Sequence, residues 1–197
     1  MMQISYKCIY IILIISFWSC HSKSLRLEEI DSFVMDSNNG LSVTSQIGDV
    51  CTRVTYNPPE LLASRTTTSM SPTLLDSLVS QFGNSMAFVV SISRENQEVL
   101  DPSVGARSYG QMLNVLSFRA GEFISLVTSK GDTLVPQNCY VDRTFGISEE
   151  TRLLVTFKKV ETAEWLKIRI KDFGLNTGNQ SLVFYREDIQ AIPRVRI

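Results

Sequence analysis

Few side chains in this sequence could do chemistry. Its one histidine, His21, stands beside Cys20 near the start of the chain. The body of the chain therefore has no Ser-His-Asp or Cys-His nucleophile system and no histidine-based zinc site. Gly105-Ala106-Arg107 is too short for a phosphate loop and lacks the strand–helix setting. The carboxylates Glu28-Glu29, Glu149-Glu150 and Glu187-Asp188 are adjacent pairs. Neighbours on a strand point to opposite faces, whereas glycoside hydrolysis needs two carboxyls facing each other across a cleft. Asp36, Asn38 and Asn39 miss the spacing of a twelve-residue calcium loop. Asp172-Phe173-Gly174 spells a kinase-like tripeptide with no catalytic loop or partner lysine, and Gly174 reads as the turn after a strand. Trp165, Phe157, Tyr140, Phe145, Phe184 and Tyr185 could form an aromatic sugar platform, but aromatic residues in strands are mostly core. The expectation is no catalytic residue, no metal and no cofactor.

Cysteine chemistry depends on the first twenty residues. Ile9–Trp18 is an apolar run of ten, following Lys7 and ending at Ser19-Cys20. A membrane-spanning helix needs about twenty such residues, so the layout is that of a secretory signal. Phe17-Trp18-Ser19-Cys20 resembles the lipobox of bacterial lipoproteins, with Ser19 at the small position and Cys20 at the invariant one. Phe17 and Trp18 suit the looser lipoboxes of some Gram-negative groups. The resemblance implies cleavage before Cys20 and lipidation of Cys20. Two or more acyl tails give stable membrane anchoring. Cys8 leaves with the signal, so Cys51 and Cys139 remain. In an oxidising periplasm these two either pair or stay as free, buried thiols.

Formal charge is −1, and removing Lys7 with residues 1–19 leaves −2, which gives no electrostatic footprint for nucleic acid. At 44% hydrophobic residues the chain can build a core. Residues 1–19 are read as signal, 20–45 as lipidated cysteine plus polar tether, and 46–197 as one β-rich domain.

Within that domain, Val50–Tyr56 has strand composition and Asn57-Pro58-Pro59 ends it. Ser71-Pro72 starts a helix whose apolar stripe is Leu74, Leu75, Leu78, Val79 and Phe82, with Gly83 as a left-handed stop. Met86–Ser93 reads as a buried strand, residues 94–110 as a long loop, and the stretch to Phe118 as a second helix. From Glu122 onward the pattern is all-β. Pro136 marks an edge or bulge, and Trp165–Lys171 alternates with Leu166, Ile168 and Ile170 on one side.

Closely spaced strands joined by short polar turns predict a mainly β fold, an antiparallel β-sandwich with one or two short helices. The architecture is similar to immunoglobulin-like domains of bacterial cell-envelope proteins. The sequence predicts an exported, non-catalytic lipoprotein held at the outer membrane, on its periplasmic or surface face. Its partners would be the membrane, through the lipid, and an envelope protein or glycan. The alternatives are an exported glycan hydrolase working with carboxylates, or a glycan- or peptide-binding module.

Overall fold

The computed structural model describes residues 24–66, 71–101, 108–142 and 147–196. The export segment, Cys20 and Phe145 lie outside the described residues. The fold is mainly β, with antiparallel sheets and six short α-helices among the described residues, against one or two expected.

The large sheet runs in the order β2 (Ser42–Ile47), β3 (Val50–Asn57), β4 (Ser85–Arg94), β9 (Thr151–Lys158), β8 (Asn138–Val141). A two-residue strand, β5 (Gln97–Glu98), folds back on β4, so the loop expected from residue 94 begins as a hairpin. The small sheet runs β11 (Gln180–Tyr185), β10 (Trp165–Ile170), β6 (Ile124–Thr128), β7 (Thr133–Leu134).

Strand periodicity decides which side chains meet between the sheets. Val54, Val90 and Leu153 align across β3, β4 and β9, as do Tyr56, Phe88 and Val155. All six are buried. From the small sheet, Leu166, Ile168, Ile170, Leu182 and Phe184 turn inward, as their alternation predicts. Phe88 meets Phe184 edge-on across the layers at 5.2 Å, Tyr56 at 5.4 Å and Phe157 at 6.0 Å between ring centroids. Offset and edge-on pairs add to the hydrophobic term of burying such rings. At one side of the sandwich, α4 (Tyr109–Phe118) inserts Met112, Val115 and Leu116 into the core. Its start is a capping box, with Ser108 accepting from the Gln111 N–H and the Gln111 side chain accepting from the Ser108 N–H.

Pro136 does more than mark an edge. Residues 133–141 form two strands in different sheets, β7 pairing with β6 and β8 (Asn138–Val141) with β9. Proline brings no N–H to a ladder, so the chain leaves one sheet there and joins the other.

The 20–45 tether requires correction. From Ser24 the chain is folded: β1 (Ser24–Arg26), a 3-10 turn, α1 (Ile30–Met35), a second 3-10 turn and then β2. Ile30, Val34 and Leu41 are fully buried, which a solvated tether would not allow. β1 pairs in parallel with β12 (Arg194–Arg196), joining the two ends of the domain. Gly40, at φ +67°, lies so close to the Asp188 carboxylate that a Cβ would collide with it. Asp188 is in α6 (Arg186–Gln190).

The helix α3 (Pro72–Phe82) starts as its sequence predicts, with Ser71 Oγ accepting the Leu74 N–H at 3.3 Å. Only Leu75 of its stripe is buried, and Leu74 is exposed. Gly83 keeps right-handed backbone at φ −65°, so it is not a left-handed stop.

The cysteine pairing also needs correction, because Cys51 and Cys139 are free. Cys51 faces outward on β3, opposite Ser93. Cys139 faces inward on β8, opposite Val155. With β4 and β9 between them, their strands are separated by about 14 Å at the usual interstrand spacing, beyond disulfide reach. Burial pushes the Cys139 thiol up to about 11, and its Sγ–H reaches the Leu116 carbonyl at 3.5 Å.

Two outcomes follow from this core. Phe88→Ala should cost about 3–5 kcal/mol, read as a lowered denaturant midpoint with an unchanged slope. Thiol labelling of Cys139 should be slow at pH 8 and accelerate about tenfold per pH unit until near pH 11, since the thiolate is the reactive form. A pH-independent rate above pH 8 would contradict the buried, protonated thiol.

Candidate functional site

The outward face of the large sheet has a composition that no strand pattern announces. It carries Thr55 and Asn57 on β3, Val89 and Ser91 on β4, and Arg152, Leu154 and Thr156 on β9. Two helices cover its β3 side: α1 presses Val34 onto it and α2 (Pro59–Ser64) presses Leu61. Among the described residues no helix covers the β9–β8 side, and Tyr140 on β8 is 68% exposed. At the step between the covered and uncovered halves lies a groove of about 660 Å³. That is within the range of pockets that take small organic ligands.

The groove is mainly apolar. Leu62 and Phe82 line it from the helical side, and Val89, Leu154 and the exposed Tyr140 line it from the sheet. Thr66, Ser85, Thr156 and Asp142 add polar groups. Behind it, under α1, is a chamber of about 140 Å³. Thr55, Ser91, Asp31 and Glu150 give the chamber a polar lining. Four residues border both spaces: Asn57, Arg65, Val89 and Arg152.

Three guanidinium groups face two carboxylates around the chamber. Arg65 donates to Asp31 at 2.6 Å. Arg152 Nε donates to Glu150 Oε1 at 2.7 Å, and Arg53 lies 3.7 Å from Glu150 Oε2. Both Glu150 oxygens are therefore engaged by guanidinium groups.

Asn57 is different. Only 2% of it is exposed, and its Nδ2 is buried with no hydrogen-bond partner. A buried donor left unmade costs about 1–3 kcal/mol. The backbone explains its position. Pro58 confines Asn57 to extended geometry, so β3 runs to its last residue, and Pro59 then opens α2 at the first helical position. The Asn57 side chain is thereby fixed between sheet and helix.

The residues singled out by sequence are mostly elsewhere. Asp36 caps the second 3-10 turn by accepting the Asn38 N–H at 3.0 Å. Asp172 Oδ1 accepts the Gly174 and Leu175 N–H groups, which makes the turn expected there. Glu28 and Glu29 pair with Arg26. The Arg26 bond holds the Glu29 carboxyl low, and Arg119 does the same for Glu122. Of the described residues in the expected aromatic platform, Phe157 and Phe184 are core, Tyr185 and Trp165 are cross-strand partners on the small sheet, and Tyr140 lines the groove. Cys51 and Cys139 do not line it. Sequence reasoning missed Asn57, Arg65, Arg152 and Leu154. The one available signal was the run of small polar residues on alternate positions of otherwise apolar strands.

No family model and no curated protein matches the chain. Two crystal structures resemble it at a TM-score of 0.39. One is a DUF4426 family protein from Pseudomonas aeruginosa, 9% identical, covering 74% of this chain and 93% of that one. The other is a protein of unknown function from Burkholderia pseudomallei, 11% identical, covering 87% and 94%.

Proposed function

We propose that this is an exported, lipid-anchored, non-catalytic binding domain of the cell envelope, with the groove on the outward face of the large sheet as its binding site. The observation that carries the binding reading is the groove itself, about 660 Å³, mainly apolar, and formed on the outward sheet face by Leu62, Phe82, Val89, Tyr140 and Leu154. The unpaired Asn57 donor beside it is enclosed in the wall and bears on stability. Catalytic use of the groove gains no support from Glu150, whose two oxygens are taken by Arg152 and Arg53.

Anchoring rests on the leader and on Ser19-Cys20. Ser24, where the described residues begin, lies four residues past Cys20, a separation of at most about 14 Å. The β1–β12 edge would then ride close to the lipid headgroups, on whichever face of the outer membrane the domain occupies. An envelope protein or a glycan remains the class of partner expected there.

Three measurements check the enclosed donor and the anchor. Asn57→Leu should raise the melting temperature of the ligand-free domain by about 2–4 °C per kcal/mol of relieved desolvation, whereas a structural asparagine would lower it on removal. Mass spectrometry of the mature protein should find an acylated N-terminal Cys20, and Cys20→Ser should move the protein out of the membrane fraction. An unmodified N-terminus lying before Cys20 would reject the anchor.

A further inference from the structure

We infer that the outward face of the small sheet is a membrane-contact surface that seats on anionic lipid headgroups. The choice of lipid as the partner rests on the anchored reading above. The face is separate from the groove. Every outward position on β6, β10 and β11 is at least partly exposed, so among the described residues nothing covers it. Register sets its rows. Trp165 stands opposite Tyr185, Lys167 stands between Val183 and Val127, and Arg169 stands beside Ser181. Tyr185 is 52% exposed.

The charge on this face has one sign. None of its outward positions is acidic. Among the described residues Lys167 and Arg169 form no salt bridge, and neither do Lys130 in the β6–β7 hairpin or Lys171 just past β10. Arg26, Arg65, Arg119 and Arg152, by contrast, are each held by a carboxylate. Unpaired cations gathered on one side of a chain with net negative charge are complementary to an anionic partner. The aromatic pair favours lipid over an acidic glycan. Lys167 Nζ lies 4.9 Å from the centre of the Trp165 ring, so the ring face that it covers is closed to a stacking sugar. Amphipathic rings beside basic side chains, with valines between them, suit the headgroup level of a bilayer.

Position agrees with this. Ser24, four residues past Cys20, pairs with Arg194. From Tyr185 the chain reaches Arg194 through α6, a span of at most about 22 Å. Acyl tails at Cys20 and cations on this face would hold one bilayer at two points, a stronger attachment than either alone. With the small sheet on the membrane, the groove on the large sheet faces away from it.

The test uses the full mature chain, residues 20–197, carrying Cys20→Ser so that no acyl group contributes. Trp165 is then its only tryptophan, because the other, Trp18, leaves with the leader. Vesicles of equal parts phosphatidylcholine and phosphatidylglycerol are compared with pure phosphatidylcholine vesicles, by sedimentation and by tryptophan emission. At low salt the chain should bind the anionic vesicles about tenfold or more tightly than the neutral ones, with a blue shift of Trp165 emission and release as salt is raised. Lys167→Glu with Arg169→Glu should weaken that binding about tenfold or more and leave the thermal melt unchanged, since both side chains lie on the outward face. If this variant melts early, Lys167→Gln with Arg169→Gln makes the same comparison without reversing charge. Equal binding to neutral vesicles, binding to neither, or an unmoved Trp165 emission overturns the inference. So does a folded double variant that binds like wild type. If polygalacturonate shifts Trp165 emission and the vesicles do not, the face takes an acidic glycan and the lipid inference falls. None of these readouts uses acylation, so a failed lipid face is distinguished from a failed anchor, which mass spectrometry of Cys20 reads separately.

Discussion

The large sheet has two faces to keep from water and one sheet to pack against. Its inward face is sealed by the small sheet, through Phe88 and the three rings around it. Covering the outward face falls to short helices, and α1 and α2 reach only its β3 side. A sheet buried on both faces must be covered across its whole width, or it leaves a step where the cover stops. The groove is that step. Its position follows from the length of the helical cover and requires no special loop.

The same constraint explains where the chain ends go. Residues 24–47 supply β1, α1 and β2, which are part of the cover and part of the sheet. β12 returns to pair with β1, and Asp188 packs over Gly40, so the two termini hold one another. The first of these segments also reaches the site, since Asp31, Val34 and Met35 line the chamber. The sheet switch at Pro136 has a comparable effect. It carries the chain from β7 in the small sheet to β8 in the large one, and β8 brings Tyr140 to the groove.

Electrostatics around the site are internal. Arginine and acid are matched locally, at 2.6 Å for Arg65 with Asp31 and 2.7 Å for Arg152 with Glu150. Pairs of this kind contribute modestly to stability where they are exposed, but they fix the side chains that border the chamber.

Much of the fold was legible in the residues. Strict alternation in Trp165–Ile170 fixed which side chains turn inward, and Ser71-Pro72 fixed one helix start. These are local signals, carried by strand period and by capping of unpaired N–H groups. The long tether and the left-handed Gly83 were misread, and the choice between paired and free cysteines stayed open, because each depends on what lies across the fold. Tertiary structure alone decided that Cys51 and Cys139 sit on opposite faces with two strands between them, and that Ile30 and Val34 have a sheet to pack on. It also decided that Asn57, an unremarkable strand end in the sequence, is enclosed without a partner. A side chain's hydrogen bonding is set by neighbours far along the chain, so its absence cannot be read from the residues beside it.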